Sequence, residues 1–172
     1  NPPLRTEADR RAVIEGLMDG TLDAIATDHA PHAAREKLVE FDRAPFGIIG
    51  LETSLALSLE ALVRGAGMEM LVLVDRLSTA PARILGLESG SLRPGAPADV
   101  VLFDPEERWT FTEADVGSRA RNTPFFGRAM IGRVVLTLLD GRATWESPSA
   151  RTRLAASPAQ AREPRSLEAS KS

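Results

Sequence analysis

The sequence predicts an α/β chain in two parts, and two changes of pattern carry that reading. Up to Gly86, apolar residues recur mainly at helical spacing, interrupted by one short apolar run that closes on Thr27-Asp28-His29. After Gly86, glycine and proline punctuation leads into short strand-like runs and an Asp140-Gly141 turn signal. Helix, short turn, strand and polar loop is the order of one α/β barrel unit, and the second part reads as a small β layer. With 172 residues, 43% of them hydrophobic, the chain has material for a sizeable core.

The elements follow in order. Thr6-Glu7-Ala8-Asp9 has the form of a capping box, and Val13, Ile14, Leu17 and Met18 then recur at helical spacing. Gly20 supplies a left-handed stop. Ala24-Ile25-Ala26 reads as a buried strand ending at Thr27. Residues 33–50 show no periodicity and exceed the usual connection length, which favours a lid or binding loop. A second helix is predicted from Thr53 to Val63, ended by Gly65 and Gly67, and a third from Glu69 to Leu77. Ser78 or Thr79 would cap a short fourth helix with Pro81 in its first turn, running through Leu85.

Gly90, Pro94, Gly95 and Pro97 mark a linker. Strands are expected at Ala98–Phe103, Trp109–Phe111, Gly132–Leu139 and Arg142–Trp145, the last two joined as a hairpin. Residues 148–172 are rich in Ser, Ala, Pro and Arg, carry a net +3 against −6 for residues 1–147, and read as a disordered tail. The expected division is therefore 1–86, 87–147 and 148–172. Asn1-Pro2-Pro3-Leu4-Arg5 has no initiator Met and no signal-peptide character, so the opening reads as the middle of a longer protein.

A net charge of −3 gives no footing for nucleic acid or an anionic membrane. Cysteine is absent, which rules out disulfides and thiolate zinc sites and fits a cytoplasmic protein. No apolar run approaches the ~20 residues that span a bilayer. The chemistry concentrates in Thr27-Asp28-His29-Ala30-Pro31-His32, which holds both histidines of the chain. An aspartate at the end of a barrel strand stands where metal ligands and proton-transfer groups are found, although it would equally serve to cap a helix or tie a loop. Pro31 restricts the backbone between the histidines. Asp28, His29 and His32 do not amount to a catalytic zinc site, and further ligands would have to lie outside these residues.

Asn1–Arg5, Ile25–His32 and Phe46-Gly47-Ile48-Ile49-Gly50-Leu51-Glu52-Thr53 together resemble the C-terminal part of bacterial dihydroorotases. Ser78-Thr79-Ala80-Pro81-Ala82, Gly95-Ala96-Pro97-Ala98-Asp99 and Asn122-Thr123-Pro124-Phe125 extend the likeness to about residue 147, the first two being shared widely with cyclic amidohydrolases. The resemblance implies the C-terminal part of a metal-dependent (β/α)8 barrel followed by part of a small β-sandwich. It also implies zinc-dependent interconversion of N-carbamoyl-L-aspartate and dihydroorotate in pyrimidine biosynthesis. Asp28 matches the family aspartate that binds one zinc and shuttles a proton. Asn1 and His32 match positions that hydrogen-bond the substrate, and Phe46 and Gly47 match the segment whose backbone contacts its ring. Phe46 would alternatively anchor its loop in the core. Arg5 is read as structural, His29 as structural or as a support behind the metal ligands, and Lys37 as a solvated loop charge.

The family's His-x-His pair, bridging acidic group and other zinc-binding histidines are absent, so the chain alone is expected to be inactive and to need the N-terminal part of the same protein. Two other readings stay open: another cyclic amidohydrolase such as a hydantoinase or allantoinase, and a non-catalytic dihydroorotase-like partner of aspartate carbamoyltransferase. A homodimer is a further expectation.

Overall fold

A computed structural model describes residues 6–150. Asn1, Arg5 and residues 151–172, on which three of the expectations above fall, lie outside the described residues. The first helix, α1 (Glu7–Asp19), begins on Thr6 as expected: the Asp9 N–H donates to the Thr6 hydroxyl, and the Thr6 N–H donates back to the Asp9 carboxylate. Gly20 ends it in the left-handed conformation. Leu17 is buried, whereas Val13 and Met18 stay exposed.

The run Ala24–Ala26 does not become a strand. Ile25 donates its N–H to the Arg76 carbonyl (2.9 Å) and packs on the helical core. Pairing begins only at His29, which forms a single parallel bridge with Ile48. An extended apolar segment becomes a strand only when a neighbour supplies a ladder, and among the described residues this one has a single bridge. The loop after it holds one helical turn, α2 (Ala34–Lys37), whose Glu36 carboxylate accepts the Ala33 N–H (2.7 Å).

The second long helix starts as α3 (Ser54–Ser58) and widens into a π-helical stretch, Leu59–Arg64. The predicted third and fourth helices are one. Backbone runs without a break through α4 (Met70–Val74), a π-helical segment Asp75–Thr79 and α5 (Ala80–Ile84). Thr79 is helical and caps nothing, its hydroxyl donating instead to the Gly90 carbonyl. A widened turn accommodates a proline, which lacks an N–H for the regular ladder, so Pro81 marks a distortion of the helix and not its start. The end at Leu85 is as expected: Leu87 donates to the Ala82 carbonyl and Gly86 to that of Arg83, a Schellman close.

The β part is one antiparallel sheet in the order β1 (Val100–Thr110), β2 (Ala129–Leu139), β3 (Arg142–Glu146). The two predicted strands at 98–103 and 109–111 merge into β1, and the register breaks between Asp104 and Arg108, around Pro105. A proline cannot donate to a ladder and sits at such a bulge. Asp140 and Gly141, both at positive φ, form the β2–β3 hairpin turn read from the sequence. Residues 148–150 are not part of a loose tail: Ala150 is buried, and Ser149 bonds the Glu107 carboxylate on β1.

Among the described residues two apolar clusters form the interior. Leu17, Leu59, Leu62, Met68 and Leu73 join the helices. Ile49, Ala56, Phe111, Val116 and Met130 join helix and sheet, with Phe111 stacked on Phe126 and meeting Trp109 edge-on. The Ser54–Arg64 helix contributes to both, Ala56 to one and Leu59 and Leu62 to the other, so it ties the sheet to the remaining helices. No helix among the described residues is long and apolar enough to cross a membrane.

Candidate active site

The site gathers where the segment leaving Thr27 runs beside the loop Pro45–Gly50. Asp28 takes φ +43°, a conformation that aspartate tolerates better than most residues. Its carboxylate is exposed, and no described residue hydrogen-bonds or ion-pairs with it. His29 turns inward: its Nδ1 accepts the Gly50 N–H (3.1 Å), which puts the ring hydrogen on Nε2 and ties the ring to the loop backbone. The Ala30 N–H donates to the Ile48 carbonyl (2.9 Å), continuing the contact between the two segments.

His32 is brought to the same place. Its Nε2 lies 2.9 Å from the Phe46 carbonyl; a carbonyl only accepts, so Nε2 carries the hydrogen and Nδ1 remains, 3.9 Å from the Glu36 carboxylate. Phe46 is 75% exposed, so it is not the core anchor of its loop. Ile49 is that anchor, at 1% exposure. Gly47 has φ +96°, and a Cβ there would stand 2.5 Å from that of Ala30. Only glycine lets these two segments touch. His32, Phe46 and Gly47 therefore meet, with Gly47 against Ala30, two residues along the chain from Asp28, while Asn1 lies outside the described residues.

Two groups in this arrangement escaped the sequence reading. Lys37 is not a solvated charge: it is half-buried, and its Nζ donates to the carbonyls of Pro45 (2.6 Å) and Gly47 (2.7 Å). Asn122 reaches in from the loop between β1 and β2. Its Oδ1 accepts the His32 N–H (3.1 Å), its Nδ2 donates to the carbonyls of Ala30 (2.8 Å) and Gly47 (3.3 Å), and its own carbonyl accepts the Ile49 N–H (3.1 Å). The Asn122-Thr123-Pro124-Phe125 motif was the only signal for Asn122. Nothing in the local sequence shows that it meets residues ninety positions earlier.

Among the described residues no group of three or more His, Cys, Asp or Glu side chains is placed to hold a metal ion. An unengaged carboxylate at Asp28 fits one ligand of a larger set, not a complete centre.

A family model described as "Amidohydrolase family" matches residues 2–144. The chain belongs to the amidohydrolase family. This amidohydrolase is 54% identical over 146 residues to a protein named dihydroorotase from Desulforapulum autotrophicum, a match covering 85% of this chain and 34% of that protein. It is 51% identical over 150 residues to one of the same name from Anaeromyxobacter dehalogenans, covering 87% and 34%. Among solved structures, D-hydantoinase (dihydropyrimidinase) from Thermus sp. superposes with a TM-score of 0.76 at 27% identity, covering 85% of this chain and 33% of that one. L-hydantoinase from Arthrobacter aurescens gives 0.76 at 28%, covering 84% and 33%. The amidohydrolase thus spans about a third of the length of the relatives it matches. Its α/β fold is the expected one, part of a (β/α)8 barrel followed by part of a small β domain.

Proposed function

We propose that this chain is the C-terminal portion of a zinc-dependent dihydroorotase, which interconverts N-carbamoyl-L-aspartate and dihydroorotate and needs the rest of a longer polypeptide to act. The observation that carries the reading is the meeting of His32 with the Phe46–Gly47 segment, beside the exposed Asp28 of the same Thr27–His32 run, in a chain 54% identical to a dihydroorotase. Asp28 would be one ligand of a zinc ion whose other ligands lie in that remaining polypeptide. When bound, such an ion acidifies water and polarises the amide carbonyl.

The residues of this chain do the rest. In ring opening, the Asp28 carboxylate takes the proton released as water adds to the ring carbonyl, then delivers it to the departing amide nitrogen. In ring closure the same proton travels in reverse. His32, with Nε2 committed to the Phe46 carbonyl, offers Nδ1 to the substrate. The Phe46 and Gly47 backbone supports the ring, and Asn1 adds a hydrogen bond. The division 1–86 and 87–147 remains our reading of the architecture, with the Asn122 loop as the point where the second part enters the site of the first.

Assaying the full-length polypeptide on dihydroorotate, with and without a chelator, tests this. Chelator-sensitive turnover restored by zinc is expected; metal-independent turnover, or none, sinks the reading. The likeness to hydantoinase structures favours another cyclic amidohydrolase as the second reading. Faster turnover of hydantoin or allantoin than of dihydroorotate would establish it.

A further inference from the structure

Three successive carbonyls in the site loop each accept a hydrogen bond from a side chain. Lys37 at the end of α2 holds those of Pro45 and Gly47, His32 holds that of Phe46, and Asn122 shares that of Gly47. A trans peptide directs its N–H opposite its carbonyl. Fixing the Pro45 and Phe46 carbonyls therefore fixes the directions of the Phe46 and Gly47 N–H groups. Neither N–H has an acceptor among the described residues.

Lys37 has the most leverage in this arrangement. Its ammonium makes two short, charge-assisted bonds, one on each side of Phe46, where His32 and Asn122 make one each to this segment. It approaches from within the loop itself, so it closes residues 37–47 into a ring held at both flanks of Phe46. Turning either the Pro45–Phe46 or the Gly47–Ile48 peptide plane breaks a bond to that ammonium, while His32 holds the Phe46–Gly47 peptide between them.

We propose that Lys37 is a positioning residue that holds the Pro45–Gly47 backbone in the orientation its N–H groups need to meet the substrate, with Asn122 as its counterpart from the β part. The inference rests on the dihydroorotase reading of the Phe46–Gly47 segment.

The test uses the full-length polypeptide with Lys37→Met and, separately, Asn122→Ala, each checked for unchanged zinc content and thermal midpoint. Two readouts are taken: steady-state kinetics on dihydroorotate, and amide hydrogen exchange of the peptide covering residues 44–50. For Lys37→Met we expect KM to rise at least about tenfold with kcat held within about threefold, since lost orientation appears first in binding. Exchange should accelerate in that peptide and not elsewhere. Unchanged exchange at 44–50 overturns the proposal, as does faster exchange with KM unaltered. If Lys37→Met is unstable, the same pair of outcomes in Asn122→Ala decides. A wild-type protein that does not turn over dihydroorotate overturns the functional reading and the substrate role together, while the exchange readout still tells separately whether Lys37 holds the loop.

Discussion

On the proposed function the chemistry turns on Asp28, and its setting separates function from stability. The carboxylate is exposed and unengaged by described residues, so removing it costs the fold little beyond the backbone strain of φ +43°. Alanine is less tolerant of that conformation than asparagine, by about 1 kcal/mol. In the full-length protein Asp28→Asn should therefore keep the thermal midpoint, and both Asp28→Asn and Asp28→Ala should lower kcat by about 10²–10⁴-fold, the share typical of a proton-transfer group. Retained kcat in either variant would remove Asp28 from the mechanism. His32 has one observed duty, support of the Phe46 carbonyl through Nε2, and one proposed duty, an Nδ1 offered to the substrate. His32→Ala should thus raise KM for dihydroorotate more than it lowers kcat, and an unaltered KM counts against both duties.

At the scale of elements, the Ser54–Arg64 helix and the sheet meet at Gly132 on β2. Gly132 has φ +98°, and a Cβ there would lie 2.3 Å from Leu59 Cδ1, a fully buried side chain. Gly132→Ala should destabilise the protein by about 2–4 kcal/mol, combining backbone strain with overpacking. A thermal midpoint within a degree of wild type would show that helix and sheet separate more easily than this packing implies. Beside the same glycine, the Trp109 indole donates to its carbonyl, and Arg133 stacks on that indole while pairing with Asp115. The junction is held by shape on one side of β2 and by a partly buried charge network on the other.

At the scale of the whole molecule, the described residues include many large apolar side chains open to solvent. Leu38, Phe41, Leu51, Leu71, Leu85 and Leu92 are all more than half exposed, Phe41 almost completely. A chain covering about a third of its relatives presents faces suited to packing against further polypeptide. The 172-residue chain by itself should accordingly bind a hydrophobic dye and show no dihydroorotate turnover, whereas the full-length polypeptide should bind little dye and be active. Turnover by the isolated chain would mean that Asp28 and its neighbours form a complete centre.

What the sequence determined by itself is what local chemistry fixes. The Thr6–Asp9 capping box, the Gly20 stop and the Asp140-Gly141 hairpin all depend on residues within a few positions of one another. The meeting of His32 with Phe46 and Gly47 was legible only because the motifs as a set resemble a known family. Only the tertiary structure decided the rest. Whether Ala24–Ala26 is a strand depends on a neighbouring ladder, and whether Pro81 begins a helix or distorts one depends on the turns before it. Lys37 and Asn122 are site residues solely because loops distant in sequence bring backbone carbonyls to them. Hydrogen bonds to main-chain atoms leave no mark in the identity of the accepting residue, so this part of the site could not be read from the sequence.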